Sequence, residues 1–176
     1  KKALILGATG QDGSYCAELL LKKKYKVFGM IRKSSTPNTK NIDHLITNKK
    51  IFNKKFFIKH GDLLDHVSIE TIINDVKPDE IYNFADQDHV RWSYEIPIYS
   101  FNVTSSSVIS ILEILRKKNK KIKYFQPISS NIFGDLKNKK FNENSNMNPQ
   151  SIYALGKASV YMLCKMYQRI YGLNIY

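Results

Sequence analysis

Two side chains four positions apart, Tyr153 and Lys157, are the clearest candidates for chemistry in this sequence. On a helix, this spacing places both on the same face. A neighbouring ammonium group favours the phenolate form of a tyrosine, which can then accept a proton from a substrate hydroxyl. Ser129, at the end of a predicted strand, can hold and orient the same hydroxyl. Ser129, Tyr153 and Lys157 are therefore the predicted catalytic residues. The alternative is that the Tyr–Lys spacing is a chance match on an exposed helix face.

Three glycines near the amino terminus predict a binding site for a dinucleotide. The apolar run at residues 3–6 breaks into Gly7, Gly10 and Gly13 before a helical pattern begins. We expect Gly7 to permit a tight turn, Gly10 to let a pyrophosphate approach the backbone, and Gly13 to let the helix pack on the strand. The free N–H groups at the helix start then form an anion site. Spaced glycines also occur in ordinary turns, so this prediction depends on the strand–helix context.

The end of the second predicted strand, residues 26–32, bears on the choice between NAD and NADP. A carboxylate at this point would bind the ribose 2′-hydroxyl of NAD, whereas an arginine accommodates a 2′-phosphate. The strand ends in Arg32 and Lys33, which favours NADP and leaves NAD as the alternative. The two cations can also be read as solvated side chains beside a loop.

Polar residues follow the next two predicted strands. Asp62 ends the third, where it either accepts a hydrogen bond from the adenine amino group or caps the following helix. The fourth, residues 80–85, runs into the cluster 86–90, which reads DQDHV. Ligands of open parallel sheets bind at the carboxyl ends of strands, so this cluster is placed to contact a cofactor or substrate. A metal site is disfavoured, because no second His or Cys stands at ligand spacing from His89.

The order of the predicted elements defines the fold class. Five strands alternate with helical segments, including a long helix at 103–115, a fifth strand at 122–128 and a last helix that opens within residues 149–157. Residues 93–97 are predicted to be a short link. This alternation predicts an α/β domain with a parallel sheet, helices on both faces and right-handed crossovers. No repeat or linker divides residues 1–176, so one domain is expected.

Composition limits the class of protein and its partners. Hydrophobic residues make up 43% of the chain and charged residues 24%, as in globular domains. The net charge of +13 is spread along the sequence without a zinc-finger or RNA-binding signature, so we expect no nucleic-acid partner. No uninterrupted apolar run approaches the roughly 18 residues of a membrane span. Cys16 and Cys164 lie in apolar helical contexts and are predicted to be buried free thiols, which suits a cytoplasmic location.

Together, these motifs resemble the extended short-chain dehydrogenase/reductases of the nucleotide-sugar type, and among them the GDP-mannose 4,6-dehydratase family. The resemblance covers essentially the whole chain and rests on residues 7–15 (GATGQDGSY), 32–35 with 38–39, 61–63, 83–90 and 149–157. It implies a Rossmann-type doubly wound sheet, an NADP cofactor and a GDP-linked hexose as substrate. The implied reaction oxidises C4, removes water across C5 and C6, and returns a hydride to C6. The resemblance also implies a homo-oligomer formed through helices that flank the active site.

The resemblance further implies which residues bind cofactor and substrate. The implied cofactor-binding residues are Gly7, Thr9, Gly10, Gln11, Asp12, Gly13, Arg32, Asp62, Leu63, Phe84, Ala85, Gln87, Tyr153 and Lys157. The implied substrate-binding residues are Asp88, Ser129, Ser130 and Asn131.

Two departures from the family pattern qualify these implications. Dehydratases of this type place a carboxylate two positions after the strand-end Ser or Thr, where this chain has Asn131, and an amide cannot accept the C5 proton. Asp88 stands where a small hydroxyl residue is usual, and we hypothesise that it replaces the missing acid. The alternatives are a 4-epimerase, 4-dehydrogenase or keto-sugar reductase without elimination, or a non-catalytic dinucleotide-binding module. The chain is also shorter than such enzymes, so we expect it to be their amino-terminal, cofactor-binding part.

Overall fold

The computed structural model describes residues 1–36, 38–134 and 140–176. Six strands form one parallel sheet: β1 (Lys2–Leu6), β2 (Lys26–Ile31), β3 (Phe56–His60), β4 (Glu80–Asn83), β5 (Lys123–Phe125) and β6 (Asn174–Ile175). Their order across the sheet is β3–β2–β1–β4–β5–β6. All five neighbouring pairs are parallel. From β1 the chain proceeds to one edge of the sheet at β3, and from β4 it proceeds to the other edge at β6. This reversal of direction leaves a crevice at the carboxyl ends of β1 and β4.

Within the described residues, seven α-helices connect and cover the strands: α1 (Gln11–Lys22), α2 (Asp43–Ile46), α3 (His66–Val76), α4 (Trp92–Glu95), α5 (Pro97–Phe101), α6 (Ser107–Lys118) and α7 (Ile152–Tyr171). Short 3₁₀ helices occupy Lys40–Ile42 and Ser130–Phe133. A π-helical segment, Asn102–Ser106, lies between α5 and α6.

The two faces of the sheet carry separate hydrophobic cores. In β1, Leu4 and Leu6 belong to the core shared with α3, α6 and α7, whereas Ala3 and Ile5 belong to the core shared with α1 and α2. All four side chains are fully buried, as expected for a strand covered on both faces. The predicted fold class, a Rossmann-type doubly wound parallel sheet with helices on both faces, is confirmed.

Three local predictions differ from the structure. The expected link at 93–97 contains parts of α4 and α5, and Pro97 occupies the first turn of α5, where its missing N–H costs nothing. The predicted long helix begins with the π-helical segment. The fifth strand keeps only three of its predicted residues.

The continuous helical run Pro97–Lys118 has 22 residues and a mean hydropathy of 1.3 over its most apolar window. Length and composition alone would let it cross a membrane, which corrects the expectation that no segment qualifies; that expectation considered only uninterrupted apolar residues. More than half of the window, 56%, is buried within the domain. Ile111, Leu112 and Leu115 pack into the core beneath the sheet, so we assign the run to the core.

Candidate active site

A cavity of about 760 Å³ lies at the carboxyl ends of β1, β2, β3 and β4. Nine of the predicted cofactor- or substrate-binding residues line it: Gly7, Thr9, Gly10, Arg32, Asp62, Leu63, Phe84, Ala85 and Asp88. Its other walls come from residues outside that predicted set, including His60, Asp86 and Tyr99.

The turn after β1 depends on two glycines. Gly7 has φ of +80°, and a Cβ there would lie 2.7 Å from the backbone nitrogen of Ala85. A Cβ on Gly13 would collide with the carbonyl oxygen of Gly7, so Gly13 lets helix α1 pack closely against the turn that directly follows β1. A Cβ on Gly10 would meet only an ordinary contact, 3.4 Å from Gly7 O. Packing within the chain therefore demands glycine at positions 7 and 13, whereas Gly10 lines the cavity.

The amino terminus of α1 is suited to an anion. Gly10 is its N-cap and provides no side-chain hydrogen bond to the first turn, so the N–H groups there lack that partner. Gln11 and Asp12 begin the helix with exposed side chains. Backbone N–H groups at a helix start, beside a turn that excludes side chains, fit a pyrophosphate.

The rim of the cavity beside β2 is basic and polar. Arg32 Nη1 lies 3.3 Å from the hydroxyl of Tyr99 and donates a hydrogen bond to it. The other residues that line this side are Lys33, Ser34, Thr36, Asn38 and Thr39. None of these described residues is acidic, and Arg32 and Lys33 give this side of the cavity a positive charge.

Asp62 lines the cavity and does not cap α3. Its Oδ1 accepts a hydrogen bond from Leu64 N at 2.9 Å. The N-cap of α3 is Asp65, which accepts from Val67 N and Ser68 N. The capping alternative for Asp62 is therefore wrong, and a contact with adenine stays a prediction.

The predicted catalytic pair lies in the first turns of α7. Ser151 caps this helix by accepting a hydrogen bond from Ala154 N at 3.0 Å. Tyr153 and Lys157 are 8% and 6% exposed, and Lys157 Nζ lies 5.8 Å from the centre of the Tyr153 ring. The pair is therefore not a chance match on an exposed face. Neither residue lines the large cavity.

Lys157 is connected to the cavity through Asp86. Lys157 Nζ lies 2.7 Å from Asp86 Oδ2 and donates a longer hydrogen bond, 3.4 Å, to the carbonyl of Pro127. Asp86 lines the cavity, whereas both charged side chains of the pair are only about a tenth exposed. The cluster at 86–90 was predicted to contact a cofactor or substrate, but no individual role was predicted for Asp86. Its position directly after β4 was the available signal.

Gln87 does not reach the cavity, although the sequence resemblance implied a cofactor contact. Its side chain is buried, accepts a hydrogen bond from Ser100 Oγ at 2.9 Å and donates to the carbonyl of His89. Asp88, in contrast, is exposed and lines the cavity. His89 stacks on the ring of Trp92. Over the residues that the structure describes, no three His, Cys, Asp or Glu side chains are grouped as metal ligands.

The predicted substrate residues after β5 lie in a tight turn. Ser129 Oγ accepts a hydrogen bond from Asn131 N at 3.2 Å and so caps the 3₁₀ helix Ser130–Phe133. Ser130 and Asn131 are exposed, and this 3₁₀ helix contacts α7. Ser129 follows closely on Pro127, whose carbonyl binds Lys157, so the turn lies near the amino-terminal part of α7.

Comparison with known proteins gives a consistent result. The model of the family described as GDP-mannose 4,6 dehydratase matches residues 4–176. The chain is 38% identical to the GDP-mannose 4,6-dehydratase of Vibrio cholerae, covering 98% of this chain and 47% of that protein. It is 40% identical to GDP-mannose 4,6 dehydratase 1 of Arabidopsis thaliana, covering 98% and 49%. The chain thus spans about half the length of the curated relatives that it matches.

Solved structures share the fold at lower identity. A dTDP-glucose 4,6-dehydratase from Bacillus anthracis, in complex with NAD, matches with a TM-score of 0.82 and 23% identity, covering 99% of this chain and 52% of that one. A UDP-glucose 4-epimerase from Brucella ovis, also in complex with NAD, matches with a TM-score of 0.83 and 20% identity, covering 99% and 50%. The family match extends over nearly every residue, and the chain therefore belongs to the GDP-mannose 4,6-dehydratase family.

Proposed function

We propose that the full-length protein is an NADP-dependent dehydratase that converts GDP-mannose to its 4-keto-6-deoxy product. The observation that carries this proposal is the buried Tyr153–Lys157 pair, linked through Asp86 to a cavity suited to a dinucleotide. The relatives at 38–40% identity, which bear the name GDP-mannose 4,6-dehydratase, support the choice of substrate.

The residues of the cavity fit a dinucleotide. The turn at Gly7 and Gly13 admits no side chain, and the uncapped start of α1 offers backbone donors for a pyrophosphate. Arg32 would hold a 2′-phosphate at the basic rim. The chemistry that a bound nicotinamide supplies is reversible hydride transfer.

The residues of the chain then manage the proton of the reacting hydroxyl. We propose that Tyr153 accepts the proton of the C4 hydroxyl as C4 becomes a ketone, and that Lys157 stabilises the phenolate that begins the step. Ser129 would orient the same hydroxyl by a hydrogen bond. These roles need the pair to be shielded from water, and the burial of Tyr153 and Lys157 meets that need.

The elimination step needs a group that accepts the C5 proton and a group that protonates the leaving C6 hydroxyl. Asn131 cannot do this, because an amide is neither a base nor an acid at neutral pH. Asp88 is the carboxylate that we propose in its place, because it is exposed and lines the cavity. Turnover that is unchanged in Asp88→Asn would exclude it.

A product assay tests the proposed function. The full-length protein would be incubated with NADP and GDP-mannose, and the products analysed by mass spectrometry. Loss of one water, with a mass decrease of about 18 Da, is the expected result. A product that has lost only two hydrogens, or an isomer of unchanged mass, would contradict dehydration.

Asn131 also favours a second candidate function, a 4-epimerase, 4-dehydrogenase or keto-sugar reductase that uses Ser129, Tyr153 and Lys157 without elimination. Such a reaction needs no carboxylate at position 131. The same assay separates the two candidates, because only dehydration changes the mass by one water.

The proposed preference for NADP rests on Arg32 and has its own test. We expect Arg32→Ala to weaken NADP binding by about 10-fold to 100-fold, the loss of a charge-assisted contact, and to leave NAD binding nearly unchanged. Arg91→Ala is the control, because Arg91 lies in an exposed pair with Glu95. Equal weakening for both cofactors would contradict a 2′-phosphate contact.

We also propose that the protein forms a homo-oligomer through α7. Four exposed apolar side chains recur on one face of this helix: Leu155, Met162, Met166 and Ile170. Burying this stripe against a second copy would remove apolar surface from water. Met162→Glu should lower the mass measured by light scattering, and an unchanged mass would exclude this face.

A further inference from the structure

Asp86 is a buried carboxylate that the proposed reaction does not use directly. Its Oδ1 accepts two hydrogen bonds, from Thr104 Oγ1 at 2.6 Å and from Gln87 N at 2.8 Å. Its Oδ2 is buried, and no hydrogen-bond donor among the described residues meets it with good geometry. Lys157 Nζ, 2.7 Å away, is therefore the charge that balances this oxygen.

The elements around Asp86 hold it firmly. Thr104 belongs to the π-helical segment Asn102–Ser106 and also packs against Gly156 on α7, where a Cβ would lie 3.1 Å from Thr104 Cγ2. Gln87 is itself fixed by Ser100. The carboxylate is thus oriented by backbone and hydroxyl donors on one oxygen, which leaves the other directed at Lys157.

We propose that Asp86 is the positioning residue for Lys157: its carboxylate balances the charge of the buried ammonium group and holds it beside Tyr153. Without this counter-charge, Lys157 would keep the long hydrogen bond to the Pro127 carbonyl as its one contact of this kind among the described residues. A buried amine with no opposite charge favours the neutral form, and a neutral amine cannot stabilise a phenolate. The need for Lys157 at this point rests on the proposed function.

The other ionisable groups near the pair do not replace Asp86. Tyr153 lies on the same helix as Lys157, and Tyr124 on β5 is fully buried. Burial above all, with smaller effects of Cys164 and Asp86, raises the pKa of Tyr124 far above its ordinary value, so this phenol stays neutral. Thr104, from the π-helical segment, carries no charge. Among the described residues around Lys157, the negative charge thus comes from Asp86.

Chemical labelling tests the inference without using enzyme activity. The full-length protein would be labelled with acetic anhydride in competition at pH 8, and the acetylated Lys157 peptide quantified by mass spectrometry. Because the substitution removes the charge-assisted contact that holds the ammonium group, we expect Lys157 to react about tenfold faster in Asp86→Asn. Thr104→Val, which keeps the side-chain shape, should raise the rate by a smaller factor.

A matched control exists on the surface. Lys59 Nζ lies 3.5 Å from Asp75 Oδ2, and both side chains are far more exposed than the buried pair. Asp75→Asn should change the reactivity of Lys59 by less than about twofold, since water screens this pair. A rate for Lys157 in Asp86→Asn that equals the wild-type rate would overturn the inference, provided that circular dichroism shows a folded variant. If Asp86→Asn does not fold, a labelling rate for Lys157 in Thr104→Val that equals the wild-type rate would overturn the inference.

The pH dependence of turnover provides the functional readout. If Lys157 acts as an ammonium group, the alkaline limb of the kcat profile should lie at lower pH in Asp86→Asn than in the wild type. An active enzyme whose alkaline limb does not move would overturn the inference. A wild-type protein that is inactive with GDP-mannose at every pH would instead overturn the proposed function. The labelling rates would then decide on Asp86 alone.

Discussion

Helix α7 carries two Tyr-x-x-x-Lys pairs with identical spacing, Tyr153–Lys157 near its start and Tyr161–Lys165 in its middle. In the second pair, Lys165 Nζ donates a hydrogen bond to Tyr161 Oη at 3.2 Å, and Lys165 is exposed. In the first pair, both residues are buried and the lysine has Asp86 as its counter-charge. Helical spacing alone therefore does not define a catalytic pair. Burial and a third, distant residue distinguish the two.

The largest expected difference is in catalysis. Tyr153→Phe removes the proposed base and should lower kcat about 10³-fold, within the range of general acid–base effects. Tyr161→Phe removes the same hydroxyl from the exposed pair and should leave kcat unchanged. Steady-state kinetics of both full-length variants would make the measurement. A similar loss in the two variants would contradict the distinction between the pairs.

The two lysines should also differ in stability. Lys157→Met leaves the buried Asp86 carboxylate without a counter-charge, so we expect the free energy of unfolding to fall by about 3 kcal/mol at pH 7. Lys165→Met removes an exposed charge and should change it by less than about 0.5 kcal/mol. Urea denaturation measures both. Equal changes would indicate that the Asp86–Lys157 pair is as well solvated as the surface pair.

Much of the fold and half of the site could be predicted from the sequence. The turn at Gly7 could be predicted because it depends on local backbone conformation, and spaced glycines after an apolar run indicate such a turn. Arg32 at the cavity followed from its place at the end of a strand. Tyr153 and Lys157 could be predicted as a pair because residues four positions apart on one helix lie on the same face.

The parts that could not be predicted depend on partners far apart in the sequence. Asp86 gained its role only when folding brought Lys157 and Thr104 beside it. Gln87 shows the opposite outcome. Its side-chain amide accepts a hydrogen bond from Ser100 and does not line the cavity. The sequence around either residue does not indicate which side chain will contact it, because the partners lie more than ten positions further along the chain.

A smaller effect is expected from a substitution that disturbs the packing of the buried pair. Gly156→Ala would place a Cβ 3.1 Å from Thr104 Cγ2, so Thr104 must shift and weaken its 2.6 Å hydrogen bond to Asp86. We expect kcat to fall about fivefold, because small displacements of positioned groups slow catalysis. Ser159→Ala, in the part of α7 before the exposed pair, is the control and should have no effect. A kcat for Gly156→Ala equal to that of the control would show that Thr104 adjusts without disturbing Asp86.

The smallest effect concerns a third tyrosine of α7, Tyr167, which donates a hydrogen bond to Glu113 instead of meeting a lysine. Burial and this carboxylate raise the pKa of Tyr167 to about 12. Hydrogen bonds from Arg116 and Tyr167 lower the pKa of Glu113 to about 2. The stabilisation by ionised Glu113 should therefore be complete above about pH 4.5 and be lost as the pH falls towards 2.

Glu113→Gln tests this pH dependence. Thermal melts between pH 5 and pH 2 should show a slightly smaller decrease in Tm for the variant than for the wild type. Parallel Tm curves for the two proteins would mean that the solvent, which reaches about a third of each side chain, screens the Glu113–Arg116 contact completely.

The π-helical segment Asn102–Ser106 limits how the chain can change in length. A π turn holds one residue more than an α turn, and deletion of one residue here would return the backbone to regular α geometry. Each residue of an α-helix advances the chain by about 100° around the axis, so side chains before the deletion would rotate by that amount relative to those after it. Thr104 could then no longer face both Asp86 and Gly156. We infer that single-residue deletions are not tolerated in this segment, because its residue count is fixed by the contact of Thr104 with a buried charge.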